Sequence, residues 1–431
     1  MARLFTGATG RIFMLLCLMY FIMYVDRVNI STAAPVIQRE MQITNTQLGI
    51  ALSAFGVCYA LLPIVNGYLG DRFGPRTVLS ILGTIWSLGT LATALVGGFY
   101  SLVFARTLVG LGEAGAIPTA TRAMSAWVPR GFRGFAQGFT HTAARFAAAV
   151  TPPLVAVMMS VIGWRWTFAL LGVISLAWAV VWYGYFRNDP REHRGVTPQA
   201  LAELPLYEDA RERPDVPWRH LIPRVMPVAV VYFCHAWSLW LYLSWLPSFF
   251  VGEYHIDIKD SAMFTAGVFA AGMIGDTAGG LLTDWILKRT GNINAARRNT
   301  VVLGFSGSFI FMSLVFFSRD PFQIALCLAA SLFFLEITEG PVWALPMDIA
   351  PRYAGVAGAI MSTVAGFAAL LSPAAFGFVT DLTGSFLPPF FMSLGFLVLG
   401  IVLAFFIDIS AYAGSAISNR QQIEGYPGST Y

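Results

Sequence analysis

Long apolar runs alternate with short polar loops along almost the whole chain. Runs of about 20 residues match helices crossing ~30 Å of hydrocarbon at ~1.5 Å per residue, whereas barrel strands would be about 10 residues long and would alternate. Twelve such runs stand out: 12–34, 46–69, 77–97, 100–127, 132–160, 166–186, 224–250, 262–286, 300–318, 322–346, 355–379 and 387–408. One long polar stretch, rich in Arg, Glu, Asp and Pro, runs from Arg187 to about Ile222 and leaves six runs on each side. The pattern therefore predicts an all-α polytopic membrane protein with 12 transmembrane helices in two pseudo-symmetric six-helix bundles. Residues 1–186 form the first bundle, 187–222 a cytoplasmic linker with room for short surface helices, 223–410 the second bundle and 411–431 a tail.

Composition strengthens this picture. The chain has 431 residues, 57% hydrophobic and 12% charged, with a mean hydropathy of +0.66. Soluble domains carry about 25% charged residues, so most of this surface must meet lipid. There every backbone polar group needs an internal partner. The net charge of +4 does not point to nucleic acid; the basic residues are spread over short loops. Arg72, Arg76, Arg130, Arg133, Lys288, Arg289, Arg297, Arg298 and Arg352 fall on one side, with the linker arginines. Only Arg39, Arg165, Lys259 and Arg319 fall on the other. This asymmetry puts both termini in the cytoplasm, in the cell's inner membrane. The first run follows Arg3 and Arg11 but continues through Asp26 and Arg27 without a small-residue cleavage site, so it reads as a retained helix. Cys17, Cys58, Cys234 and Cys327 lie inside apolar runs without metal-ligand spacing. No metal or cofactor is expected. With no P-loop or nucleophile elbow, ATP-driven transport and hydrolysis lack support.

The two parts of the chain echo each other. Gly67 and Asp71 correspond to Gly280 and Asp284, each as G-x-x-x-D. Glu113 and Pro118 in "GEAGAIPTATRAMSAWVPR" match Glu336 and Pro341 in "LEITEGPVWALPMDIAPR". Parallel repeats of this kind mark duplicated transporter halves. The loop "GYLGDRFGPR" resembles the signature loop of the major facilitator superfamily, through Gly67, Asp71, Arg72, Gly74 and Arg76, with Pro75 departing from the pattern. In that family the loop is a conformational latch, and here Asp71 is placed to cap a helix across the seam between bundles. "YVDRVNIS", "RTLVGLGEAGAIP", "GPVWALPMDIAPR" and "GFVTDLTGSF" further resemble the anion:cation symporter family. That resemblance implies transport of organic carboxylates such as sugar acids, tartrate-like diacids or aromatic acids, often with protons.

Charges inside the apolar runs are expensive and mark function. They are Asp26, Arg27, Arg106, Glu113, Arg122, Arg145, Asp276, Glu336 and Glu339, joined by His235. Arginine suits a carboxylate through its planar fork and permanent charge. Arg27 and Arg145, with Arg106, are expected to bind the anion, with Tyr59 lining the site and Glu339 contacting the substrate. Asp26 and Glu113, and Glu336 beyond them, are expected to take up the coupling proton. The resemblance assigns the acids of the first-run D-R pair and of R-x6-E to proton transfer, and the adjacent arginine to substrate; here these are Asp26, Arg27, Arg106 and Glu113. The plainer alternative is that Arg106 forms a static bridge with Glu113 or Asp26. Glu336 and Glu339 read equally as a packing pair, and their nearest partners should be arginines of the first bundle. His235 could titrate but reads more as a hydrogen-bonded packing residue, Arg122 as a gating or snorkelling one, and Asn29 as orienting Asp26. Gly67, Asp71, Arg72, Arg76 and Asp284 are expected to gate.

These observations predict proton-coupled symport of a small organic anion by alternating access, in a monomer embedded in the bilayer, with no enzymatic activity. Sodium remains open as the coupling ion. Proton-driven efflux of metabolites or drugs is the rival within transporters; mid-membrane arginines argue against cationic drugs. A non-transporting sensor would need a sizeable output domain.

Overall fold

The computed structural model describes residues 7–129, 133–204, 216–349 and 354–406. The first set of helices comprises α1 (Gly7–Met41), α2 (Asn45–Leu61), α3 (Pro63–Thr93), α4 (Phe99–Glu113), α5 (Ala116–Trp127) and α6 (Arg133–Tyr185). A short helix α7 (Pro198–Glu203) lies in the expected linker. The second set comprises α8 (Trp218–Tyr254), α9 (Ile258–Thr290), α10 (Ile293–Leu314), α11 (Pro321–Ile337), α12 (Glu339–Ile349), α13 (Ala354–Thr383) and α14 (Pro389–Phe405). Six described helical stretches are long and apolar enough to cross a membrane: Gly7–Met41, Gly138–Tyr185, Trp218–Tyr254, Ile293–Phe317, Pro321–Pro346 and Val356–Thr383. The chain is a multi-pass α-helical membrane protein.

Local chemistry sets the helix ends. Thr44 and Gln47 form a capping box at the start of α2, each side chain taking the other's backbone N–H. Asp257 caps α9, and Gly291 closes it with a φ of +64°. Gly74 (φ +79°) and Gly163 (φ +77°) break α3 and α6 with backbone that favours glycine. They fall where the hydropathy pattern expects loops. Three other features depart from that pattern. α8 begins at Trp218, inside the expected linker. The second run divides at Leu62, before Pro63. The fourth and tenth runs each divide in mid-course, α4 ending at Glu113 and α11 at Ile337. Proline explains the last two breaks. Pro118 and Pro341 lack the N–H that would bond the carbonyls of Ala114 and Ile337, four residues back.

α2 lies against α13 with little between their backbones. A methyl group at Gly49, Gly56 or Gly366 would overlap backbone of the facing helix. At the start of α2, the Asp381 carboxylate on α13 accepts from the Asn45 and Thr46 backbone N–H groups (3.1 and 2.7 Å) and from both side chains (2.8 and 2.6 Å). This seam and the packing of α6 along α9 and α1 along α8 join the two sets. The tail expected at 411–431, with Arg130 and Arg352, lies outside the described residues. In the linker, hydrogen bonds from Arg191 hold the Asp189 carboxyl below its usual range.

Candidate functional site

The apolar runs place the ionisable side chains deep among the helices, where each must find a partner. They form two clusters. The first lies among α1, α2, α4 and α6. Arg27 on α1 directs its fork at one oxygen of Glu113 on α4, through Nε at 3.2 Å and a terminal nitrogen at 2.8 Å. Both side chains are sealed, 4% and 0% exposed. Four rings surround the Arg27 guanidinium, with centroids 4.8 Å (Tyr24), 5.2 Å (Phe55), 5.0 Å (Tyr59) and 5.7 Å (Trp240) away. Trp240 comes from α8, so this cage closes across the boundary between the helix sets. Beside it, Asp26 accepts from Ser175 Oγ at 2.6 Å and from the Asn29 amide at 3.3 Å.

Arg106 stands over the Phe55 ring at 5.5 Å and feels the charges of Glu113 and Asp26. The ion-pair partner of Glu113 is nevertheless Arg27. Arg106 Nε and Glu113 Oε1 are buried with no hydrogen-bond partner among the described residues. This cluster therefore keeps an unused donor and an unused acceptor beside two fixed guanidinium groups, the chemistry that receives an anionic group with hydroxyls.

The second cluster crosses between the sets. Arg145 on α6 grips Glu336 on α11 with both terminal nitrogens, at 3.3 Å to Oε1 and 2.9 Å to Oε2. It also lies 3.5 Å from Glu339 on α12 and 3.5 Å from Asp276 on α9. Glu339 Oε1 accepts from Tyr232 Oη at 3.2 Å and Trp343 Nε1 at 3.1 Å. Its other oxygen lies 3.1 Å from His235 Nε2. His235 is thus buried and hydrogen-bonded, its Nδ1 2.9 Å from Thr338 Oγ1. The side chains here are wetter: Arg145 is 11% exposed, Glu339 16% and Asp276 26%. Tyr24 lies within electrostatic reach of both Arg27 and Arg145.

Both clusters sit at proline-induced helix breaks, and each break follows an acid, Glu113 or Glu336. The remaining expected residues lie apart. Arg72 is exposed and reaches Tyr68 Oη at 3.4 Å. Arg76 donates to the Tyr183 carbonyl and, through its backbone, to Asn188. Asp284 lies 3.6 Å from Arg297. Gly67 and Asp71 lie on α3, and the Asp71 side chain is outside what is described. Asp381 was quoted in the sequence without a role; its only signal was a lone acid at the end of an apolar run.

Comparison with known proteins gives a consistent result. A family model described as Major Facilitator Superfamily matches residues 16–373. The chain is 45% identical to a protein named probable sulfoacetate transporter from Cupriavidus necator, over 91% of this chain and 92% of that one. It is 29% identical to the hexuronate transporter of Bacillus subtilis, over 87% and 89% of the two chains. Among solved structures, a bacterial homologue of the human lysosomal transporter Spinster, crystallised inward-facing and unoccupied, superposes with a TM-score of 0.76 at 16% identity, covering 93% of this chain and 96% of that one. At that identity the likeness concerns the fold.

Proposed function

The chain belongs to the Major Facilitator Superfamily and is a membrane transporter rather than an enzyme; on that premise we propose that it carries a small organic anion by proton-coupled symport. The substrate class is that of the named relatives and of the anion:cation symporter resemblance: a sulfonated or sugar-derived carboxylate. The transport unit is a monomer of two six-helix bundles in the inner membrane, with both termini cytoplasmic. Counting α2 with the first part of α3, α4 with α5, and α11 with α12 as single crossings, and dividing α3 and α6 at Gly74 and Gly163, gives twelve.

The observation that carries this reading is the Arg27–Glu113 pair, caged by aromatic rings from both helix sets. A buried pair of this kind costs several kcal/mol of desolvation. It is worth keeping where one partner can be released. In the proposed cycle a proton neutralises Glu113, with Asp26 as the second acceptor, and frees the Arg27 fork for an incoming carboxylate or sulfonate. Arg106 supplies the second positive charge and Tyr59 one wall. Binding the anion then favours the opposite arrangement of the two bundles.

The test is uptake into proteoliposomes of labelled sulfoacetate, a hexuronate, a tartrate-like diacid and an aromatic acid, with and without an imposed pH gradient. At least one anion should accumulate with the gradient, and its uptake should collapse with a protonophore. Glu113→Gln should abolish gradient-driven accumulation yet keep anion exchange. Accumulation that is indifferent to the gradient, or unimpaired in Glu113→Gln, would overturn the coupling.

A further inference from the structure

A hydrogen count around His235 goes beyond these roles. Thr338 has one hydroxyl hydrogen, and the Leu335 carbonyl, 2.7 Å away, is an acceptor that can take it. Thr338 Oγ1 also meets His235 Nδ1 at 2.9 Å. With that hydrogen on Leu335, the hydroxyl accepts from the ring and Nδ1 carries the ring hydrogen, the tautomer on which the proposal rests. A neutral imidazole with hydrogen on Nδ1 presents a bare lone pair at Nε2. That nitrogen lies 3.1 Å from Glu339 Oε2, and both atoms are buried without a hydrogen-bond partner among the described residues. An ionised carboxylate facing a bare nitrogen at this distance sets two lone pairs against each other. One proton between them removes the conflict, whether drawn as imidazolium and carboxylate or as imidazole and carboxylic acid. Glu339 Oε1 already accepts from Tyr232 and Trp343, so Oε2 is the oxygen that takes part.

We propose that His235 and Glu339 share one titrating proton, forming a second proton-binding site that sets how tightly Arg145 holds the two helix sets together. The groups facing the pair are Tyr24 on α1, His141 and Arg145 on α6, Tyr232 on α8, Asp276 on α9 and Glu336 on α11. Glu339 and Asp276 are partly exposed, at 16% and 26%, which gives water a route. When the proton leaves to water, the pair becomes more negative by one charge, 3.5 Å from Arg145. Arg145 is then drawn harder across the seam, on top of its grip on Glu336. When the proton returns, Arg145 is loosened. His235, Glu336 and Glu339 also lie within 4.8 Å of one another, close enough to suggest a metal. The Arg145 guanidinium, 2.9 Å from Glu336, places a fixed positive charge against any cation there.

The test uses the purified full-length protein in lipid nanodiscs without any transported anion, so its failure would leave the transport reading standing. Infrared difference spectra between acid and alkaline pH should contain a titrating signal from the pair. That signal should be absent in Glu339→Gln. In His235→Gln its midpoint should move by about one pH unit or more, the scale of a lost charge or hydrogen-bond partner. Identical titrations in wild type and both variants would overturn the proposal. Nitrogen-15 histidine spectra of the wild-type protein give a readout independent of how the Glu339 variant folds. A His235 ring with hydrogen on Nδ1 and a hydrogen-bonded Nε2 supports the shared proton. A ring whose only hydrogen is on Nε2, unchanged across the titration, refutes it.

Discussion

The two arginine clusters use the same elements to opposite ends. In each, a guanidinium meets an acid at a helix break imposed by a proline. Arg27 and Glu113 both belong to the first helix set, are sealed from solvent and sit within four aromatic rings. Arg145 belongs to the first set, but its acids Glu336, Glu339 and Asp276 all belong to the second; Glu336 is buried, while Glu339 and Asp276 are partly exposed. A pair inside one set can survive any relative motion of the two sets. A pair across the boundary has to break if the sets separate there. The two helix sets thus supply one pair suited to a substrate site and one suited to a tie between them.

The largest effect should come from removing the positive member of the sealed pair. Arg27→Ala leaves Glu113 with an uncompensated buried charge, and unpairing of this kind costs about 3–5 kcal/mol. Thermal unfolding of the purified variant should register that loss, and anion uptake should fall below detection. Adding Glu113→Gln removes the stranded charge. If Arg27 is a binding residue, the double variant recovers stability and not uptake. Recovery of both would make the pair a structural fixture only, and would erase the contrast with Arg145.

How much of this was legible follows from geometry. The charged candidates were visible because they interrupt apolar runs; the helix limits at Thr44, Asp257 and Gly291 are set by capping chemistry that the hydropathy pattern does not carry. The pairing was not visible. Arg106 and Glu113 share a face of one helix, but seven residues span about 10 Å, too far for a direct bridge. Glu113 instead meets Arg27, 86 residues away, because α1 and α4 are brought together by packing. The breaks at Ala114 and Thr338 were written in Pro118 and Pro341 and passed unread under long apolar runs. His235 looked like a lone packing residue because its partners, Thr338 and Glu339, lie more than 100 residues along the chain.

A double-mutant cycle sharpens the comparison at the second cluster. Arg145→Gln, Glu336→Gln and the double variant should show a coupling of about 1–3 kcal/mol in unfolding, the range for residues sharing an ion-pair network. Single replacement of Arg145 should cost less than replacement of Arg27, since its side chain and those of Glu339 and Asp276 are partly exposed and the acids left behind can take up protons. Coupling within error of zero would mean that Arg145 and Glu336 are neighbours without being a tie.

The smallest effect concerns the seam where α2 meets α13. Asp381 stands at the N-terminus of α2 and takes four hydrogen bonds from Asn45 and Thr46. Charge at an exposed helix N-terminus is worth about 0.3–1 kcal/mol. Asp381→Asn keeps the shape but removes the charge and turns one accepting oxygen into an NH2 donor, so the seam should open at least about two- to five-fold more often. A cysteine placed by Ser53→Cys, at the position whose hydroxyl accepts from the Ala374 N–H, reports the opening through its labelling rate with a water-soluble thiol reagent. Faster labelling in Asp381→Asn, with a further rise when Arg145→Gln is added, would show two separate ties holding one boundary. If Asp381→Asn leaves the rate unchanged and Arg145→Gln alone raises it, the cross-set cluster carries the closure by itself, and the cap on α2 serves only that helix.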